Sequence, residues 1–280
     1  MDDFLKALFL GVVEGFTEFL PVSSTGHLIL ANEFVRFDRD AFTKMFDIVI
    51  QLGAILAVAV VFWKRLVPWG KRLQPGESNR VWTLWLYAVV GFIPTGIGAF
   101  LAAHWVEAHL FSPWVVAASL VFYGLIFLFI ERVAPRARVA DVHDLGWKLA
   151  LAIGAIQLLS LVPGTSRSGI TIIGALLLGV GRVAATEFTF YLALPTMTAA
   201  TGWSLVTFFK ENHGGFSGTE LGSLTVGFIA AFLVAWAVIV GFVRFVQKHN
   251  FVGFGIYRVV LGAAVALWFG WPALSHLFKG

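Results

Sequence analysis

Long apolar runs separated by short polar ones organise the chain. Runs near 45–63, 82–103, 114–130, 187–209, 221–243 and 253–271 are bounded by charge or turn residues. Each is long enough for a membrane-spanning helix, which needs about 20 residues to cross a hydrocarbon layer of about 30 Å. Two further apolar stretches, 4–31 and 149–180, are interrupted in the middle, by Pro21-Val22-Ser23-Ser24-Thr25-Gly26 and by Pro163-Gly164-Thr165-Ser166-Arg167-Ser168-Gly169. Such a break releases backbone N–H and C=O groups that hydrocarbon cannot satisfy, so it must face protein or a wet cavity. Both stretches therefore read as re-entrant helix-loop-helix hairpins. The predicted fold class is all-α and polytopic, six spanning helices plus two hairpins in one integral membrane domain, residues 1–280.

The two halves, 1–135 and 145–280, repeat the same order of elements. At one constant offset Gly11 falls on Gly154, Glu14 on Gln157, Thr17 on Ser160, Ser23 on Ser166, Thr25 on Ser168 and Gly26 on Gly169. One hairpin followed by three spans is an odd number of crossings. The halves are then expected in opposite orientations, as an inverted-topology repeat whose hairpins meet near the midplane.

Composition supports this class: 59% of residues are hydrophobic and 13% charged, against about 25% charged in soluble domains. A water-soluble globule is excluded. The chain has no cysteine, so disulfides, thiolate metal ligands and a cysteine nucleophile are excluded too. Asp2 and Asp3 stand where a secretory leader would be basic, which argues against a cleaved signal. The net charge of +4 is accounted for by sidedness and requires no nucleic acid. With loops 64–81, 131–148 and 244–252 on the cytoplasmic side, that side, counted with Arg182 and Arg258, holds 13 of the 20 Lys and Arg, Lys71 and Arg72 among them. The outer side holds six (Lys6, Arg36, Arg39, Lys44, Lys210 and Lys279), and Arg167 remains in the membrane. This places both termini outside.

Apart from Lys6, assigned to the outer side, three charges fall inside the hairpins: Glu14, Glu18 and Arg167. Each costs roughly 2.5–3.5 kcal/mol near a bilayer centre on insertion scales, so they must pair or hold a ligand. Glu14 and Glu18 lie four apart on one helical face, where two carboxylates share a proton or bind a cation. His27 is the only one of seven histidines within an apolar segment, and Ser24 lies one turn before it. A hydroxyl beside an imidazole is the minimum for an activated nucleophile, although a buried histidine is also an ordinary hydrogen-bonded core residue. Arg167 lies between Ser166 and Ser168 at the start of a half-helix. Two helix N-termini converging on a guanidinium form an anion site, and the same arginine can neutralise an acid of the first hairpin.

Glu14-Gly-Phe-Thr-Glu18-Phe-Leu-Pro-Val-Ser-Ser-Thr-Gly-His27, together with Pro163-Gly-Thr-Ser-Arg-Ser-Gly169, resembles the undecaprenyl pyrophosphate phosphatase family, the bacitracin-resistance proteins. The resemblance covers essentially the whole chain, including Ile50-Gln51-Leu52-Gly53, Glu187-Phe188 and Tyr257-Arg258. It implies hydrolysis of a polyprenyl diphosphate lipid at the outer face of the bacterial plasma membrane. Lipid carrier is thereby returned to peptidoglycan synthesis, and bacitracin loses its target. The family also implies a divalent cation, Mg²⁺ or Ca²⁺, for which Glu14 and Glu18 are the candidate ligands.

On this reading Glu14, Glu18, Ser24, His27 and Arg167 are the candidate catalytic residues, and Ser23, Thr25, Gly26, Ser166, Ser168, Gly169 and Thr171 bind phosphate. Gln51, Glu187, Tyr257 and Arg258 are candidates for a supporting role. Three chemistries stay open: attack by Ser24 with His27 as base, phosphorylation of His27, or activation of water by His27. Glu18 would orient His27 or share the metal. A lipid-phosphate flippase without hydrolysis is the competing class, and a homo-oligomer is left open.

Overall fold

A computed structural model describes residues 2–69, 76–211 and 215–277. In chain order its helices are α1 (Asp3–Thr17), α2 (Ser24–Val35), α3 (Asp40–Val61), α4 (Trp63–Leu66), α5 (Glu77–Leu110), α6 (Pro113–Val133), α7 (Trp147–Gln157), α8 (Arg167–Leu177), α9 (Arg182–Glu211), α10 (Gly218–Lys248) and α11 (Val252–Leu277). Short 3₁₀ turns occupy Val142–Asp144 and Leu158–Leu161. Among the described residues six helices, α3, α5, α6, α9, α10 and α11, are long and apolar enough to cross a membrane. Each overlies one predicted run. The two interrupted stretches form the pairs α1/α2 and α7/α8, broken where the prolines and serines stand. Lys71, Arg72 and Lys279, used above to judge sidedness, lie outside the described residues.

Several helices outrun their apolar windows. α5 has 34 residues, about 51 Å at 1.5 Å per residue, because a helix needs no hydrocarbon to close its own hydrogen bonds. Its limits are set by local chemistry instead. It starts after Gly76, whose φ of +91° favours glycine, and it stops at Phe111 and Ser112. Ser112 caps α6 by accepting from the Val115 amide (3.3 Å), with Pro113 in the first turn. α10 starts on a reciprocal Ser217/Glu220 capping box, and Arg39 at the head of α3 pairs with Glu220 at 3.1 Å.

Apolar side chains cover the outside as well as the core. Phe100, Leu101 and Val260 are 76%, 75% and 62% exposed, as lipid contact requires. With lipid as apolar as the core, helices associate through close backbone approach at small residues. Gly11 and Gly15 of α1 seat against Gly227, Ala230 and Ala231 of α10, Gly154 of α7 against Gly91 of α5, and Gly124 of α6 against Gly255 of α11. The principal contacts form matched sets: α1 with α10 as α7 with α5, α3 with α10 as α9 with α5, and α6 with α11. The first helix of each broken pair, α1 or α7, thus packs mainly on a long helix of the other half of the sequence.

Candidate functional site

The two breaks are built alike. In the first, α1 ends at Thr17 and α2 starts on Ser23, which adopts φ +73° and accepts the Gly26 amide on Oγ at 3.2 Å. In the second, Ser166 has the same φ of +73° and accepts the Gly169 amide at 3.1 Å before α8. These are the only non-glycine residues with positive φ among those described. Such a conformation costs about 1–3 kcal/mol and persists only where its surroundings enforce it. Glycine three residues on leaves room for the cap, since a Cβ there would lie 3.2 Å from Ser23 Oγ or 3.1 Å from Ser166 Oγ. The amides of Gly26 and Gly169 are therefore occupied by their own serines. The preceding amides, at Ser24 and Thr25 and at Arg167 and Ser168, belong to the first turns, which lack intrahelical partners.

Glu18, 5% exposed, joins the breaks. Its Oε2 accepts the Ser24 hydroxyl at 2.5 Å and its Oε1 accepts Arg167 Nη2 at 2.5 Å. A carboxylate following α1 thus holds the first hydroxyl of α2 and the first side chain of α8. Ser168 Oγ donates within reach of the Glu18 and Leu20 carbonyls (3.2 and 3.1 Å) and contacts Ser166 Oγ at 3.2 Å. Arg167 Nε and Nη1, both buried, have no hydrogen-bond partner. A buried guanidinium with two idle donors beside a hydroxyl already bonded to a carboxylate is suited to a phosphoryl group.

His27 faces elsewhere. Its Nδ1 lies 2.8 Å from the Ser23 carbonyl and its Nε2 2.7 Å from the Tyr257 hydroxyl. A carbonyl only accepts, so Nδ1 carries the proton, Nε2 is the acceptor in the neutral ring, and Tyr257 donates. Ser24 and His27 share the first turn of α2, as the spacing predicted, but the hydroxyl is bonded to Glu18 and the imidazole to Ser23 and Tyr257.

Glu14 is fully buried, and no N–H or hydroxyl donor reaches either carboxylate oxygen, its close polar neighbour being the Glu18 carboxylate, with which it can share a proton. The neighbouring charges acting on it are Glu18, Asp47 and Arg167. Its counterpart in the second half, Gln157, is satisfied. Gln157 Nε2 donates to Thr95 Oγ1 (2.9 Å) and Thr196 Oγ1 (3.4 Å), and its Oε1 accepts from Thr171 (3.4 Å). Thr171 also bonds the Arg167 carbonyl at 2.7 Å, so it supports α8 from behind. Thr25 is half-buried in the first turn of α2.

Of the four supporting candidates, Arg258 is the most deeply engaged. It is 0% exposed and donates to the carbonyls of Pro21 (3.2 Å), Gly164 (2.8 Å), Thr165 (3.0 Å) and Ser119 (3.4 Å), binding both breaks at once. Glu187 instead pairs with Arg65, beside a cavity of about 330 Å³ lined by Asp141 and His143, none of which belongs to the breaks. Gln51, half-buried on α3, makes none of the hydrogen bonds described for the site. Sequence reasoning missed Asp47, whose Oδ2 accepts from Asn32 at 2.6 Å while Oδ1 is buried without a partner. An acid between Phe46 and Ile48-Val49-Ile50, just inside a predicted span, was the available signal.

The family model described as bacitracin resistance protein BacA matches residues 7–264. Undecaprenyl-diphosphatase 1 of Oenococcus oeni is 46% identical over 264 residues, 93% of this chain and 95% of that protein. The undecaprenyl-diphosphatase of Enterococcus faecalis is 45% identical over 270 residues (95% and 96%). That of Lactiplantibacillus plantarum is 45% identical over 275 residues (96% and 98%). With two matched breaks, a carboxylate joining them and a family match that spans both, the chain belongs to the BacA bacitracin-resistance family.

Proposed function

We propose that this chain hydrolyses undecaprenyl diphosphate to undecaprenyl phosphate and inorganic phosphate in the bacterial plasma membrane, returning lipid carrier to peptidoglycan synthesis and conferring bacitracin resistance. The observation that carries the reading is the bridge Ser24–Glu18–Arg167, with two donors of Arg167 unused. The terminal phosphate would lie between the N-termini of α2 and α8, with the polyprenyl tail in lipid. Arg167 and the free first-turn amides neutralise charge spread over the phosphoryl oxygens, the main demand of phosphoryl transfer.

Of the three chemistries open to the sequence the hydrogen bonding favours serine attack, but with the base exchanged: the Ser24 hydroxyl is bonded to Glu18, whereas His27 is engaged by Ser23 and Tyr257. The Ser24 Oγ–phosphorus bond forms while the proton passes to Glu18 Oε2, and the bridging P–O bond breaks to release lipid monophosphate. Water then hydrolyses the phosphoserine and restores both groups. A divalent cation fits at Glu14, whose two buried oxygens lack donors, with Glu18 adjacent. Among the described residues no cluster of three or more His, Asp or Glu forms a cage, so the remaining ligands would be phosphate or water, as Mg²⁺ commonly takes them. When bound, the ion would supply charge neutralisation to the diphosphate.

The same reading places α1/α2 and α7/α8 as re-entrant hairpins of an inverted repeat, with both termini outside and the site open to the outer face. Its supports are the identical φ of Ser23 and Ser166, the paired helix contacts and the Lys/Arg bias of the loops. Against a flippase without hydrolysis stands the difference between an unsatisfied Glu14 and a satisfied Gln157. The deciding experiment measures phosphate released from undecaprenyl diphosphate by the protein in detergent, with and without chelator. Release that falls on chelation supports both lipid hydrolysis and the cation. No release in detergent, with head-group translocation in liposomes, would overturn the enzyme reading.

A further inference from the structure

α2 and α11 come from opposite halves, and two side-chain pairs link them: His27 with Tyr257, and Phe34 with Trp268, whose ring centroids are 6.0 Å apart. The first pair bears on chemistry. The planes of His27 and Tyr257 differ by 2°, with centroids 5.8 Å apart, so the two rings are held parallel while the hydroxyl lies 2.7 Å from Nε2. Tyr257 precedes the fully buried Arg258, whose guanidinium is fastened to Pro21, Gly164 and Thr165. Its backbone is therefore fixed to the same breaks that carry Ser24 and Arg167. The ring is 45% exposed while its hydroxyl is bonded inward to His27. A tyrosine anchored only by apolar packing would not need this geometry.

We propose that Tyr257 is a positioning residue for His27. Its hydroxyl donates to Nε2 and, with the Ser23 carbonyl at Nδ1, holds the imidazole in one orientation and one tautomer, with its basic nitrogen turned toward α11 and away from Ser24. Both ring nitrogens are then specified, one by each half of the molecule. The consequence is a division of labour in which Glu18 serves Ser24, while the imidazole is fixed at both nitrogens by Ser23 and Tyr257. The activity arm of the test rests on the hydrolytic reading above, whereas the spectroscopic arm does not.

Tyr257→Phe keeps the ring and removes only the hydroxyl. In detergent, on undecaprenyl diphosphate, it is expected to lower kcat about tenfold with KM within about twofold of wild type. In a His27→Ala background the same substitution is expected to lower the residual turnover no further, because the tyrosine acts through the histidine. In ¹⁵N-histidine-labelled protein without substrate, His27 is expected as the Nδ1–H tautomer. Its Nε2 resonance should move in Tyr257→Phe toward that of a free pyridine-type nitrogen. A wild-type Nε2–H tautomer, an unchanged Nε2 resonance, a wild-type kcat, or equal losses in both backgrounds would each overturn the proposal. Should the wild-type protein release no phosphate while the ¹⁵N shifts behave as expected, the hydrolytic reading fails and the His27–Tyr257 coupling stands.

Discussion

Glu18 carries two short hydrogen bonds through one carboxylate, and each makes a different demand on that group. Toward Ser24 it must accept a proton, and toward Arg167 it must remain an anion. Glutamine in its place keeps size and one acceptor but cannot take the serine proton, so Glu18→Gln is expected to lower turnover at least 100-fold with the fold retained. Arg167→Ala removes the donors for the phosphoryl oxygens, and loss of one such donor elsewhere costs about 10²–10³ in kcat. It is expected to fall at least as far, and Arg167→Lys to recover only part, because an ammonium lacks the planar fork. Phosphate release at saturating lipid checks all three: wild-type turnover in Glu18→Gln or Arg167→Ala would remove that residue from the mechanism, and wild-type turnover in Arg167→Lys would show that charge alone suffices. The types of these residues were legible in the sequence, since charges in an apolar run must be used. Their pairing was not. Glu18 and Arg167 are 149 positions apart, and spacing within α2 brings Ser24 near His27 without saying which group its hydroxyl turns to.

Among the elements, the six spans were legible because twenty apolar residues leave a chain few other choices. Their ends were not, because α5 and α10 continue into polar sequence until a cap or a positive φ stops them. The two breaks were legible from proline and serine, but not the left-handed serine at each. That geometry gives a test. Alanine at 166 removes the cap, worth about 0.5–2 kcal/mol, and keeps the unfavourable φ, whereas glycine loses the cap and relieves the φ. Ser166→Ala is therefore expected to melt several degrees below Ser166→Gly in detergent. Equal midpoints would show that the conformation stores no strain. Ser23 should behave in the same way, since its φ and its cap match.

For the whole molecule, orientation is the property that loop charge predicts. The chain has no cysteine, so single cysteines report without background. His109→Cys, exposed in the last turn of α5, is expected to react with an impermeant maleimide added outside intact cells. Arg138→Cys, between α6 and α7, is expected to react only after lysis. The reverse pattern would invert the orientation. Arg258 bears on another property of the whole. A guanidinium buried with four carbonyls from three segments acts as a keystone, because no part it touches can move alone without stripping charge-assisted bonds worth about 1.5–3 kcal/mol each. Rocking of one half over the other would have to break several of them at once. A molecule built this way is suited to hold its centre still while lipids exchange around it, and its turnover should be limited by the arrival and departure of a long tail rather than by any swing of its own.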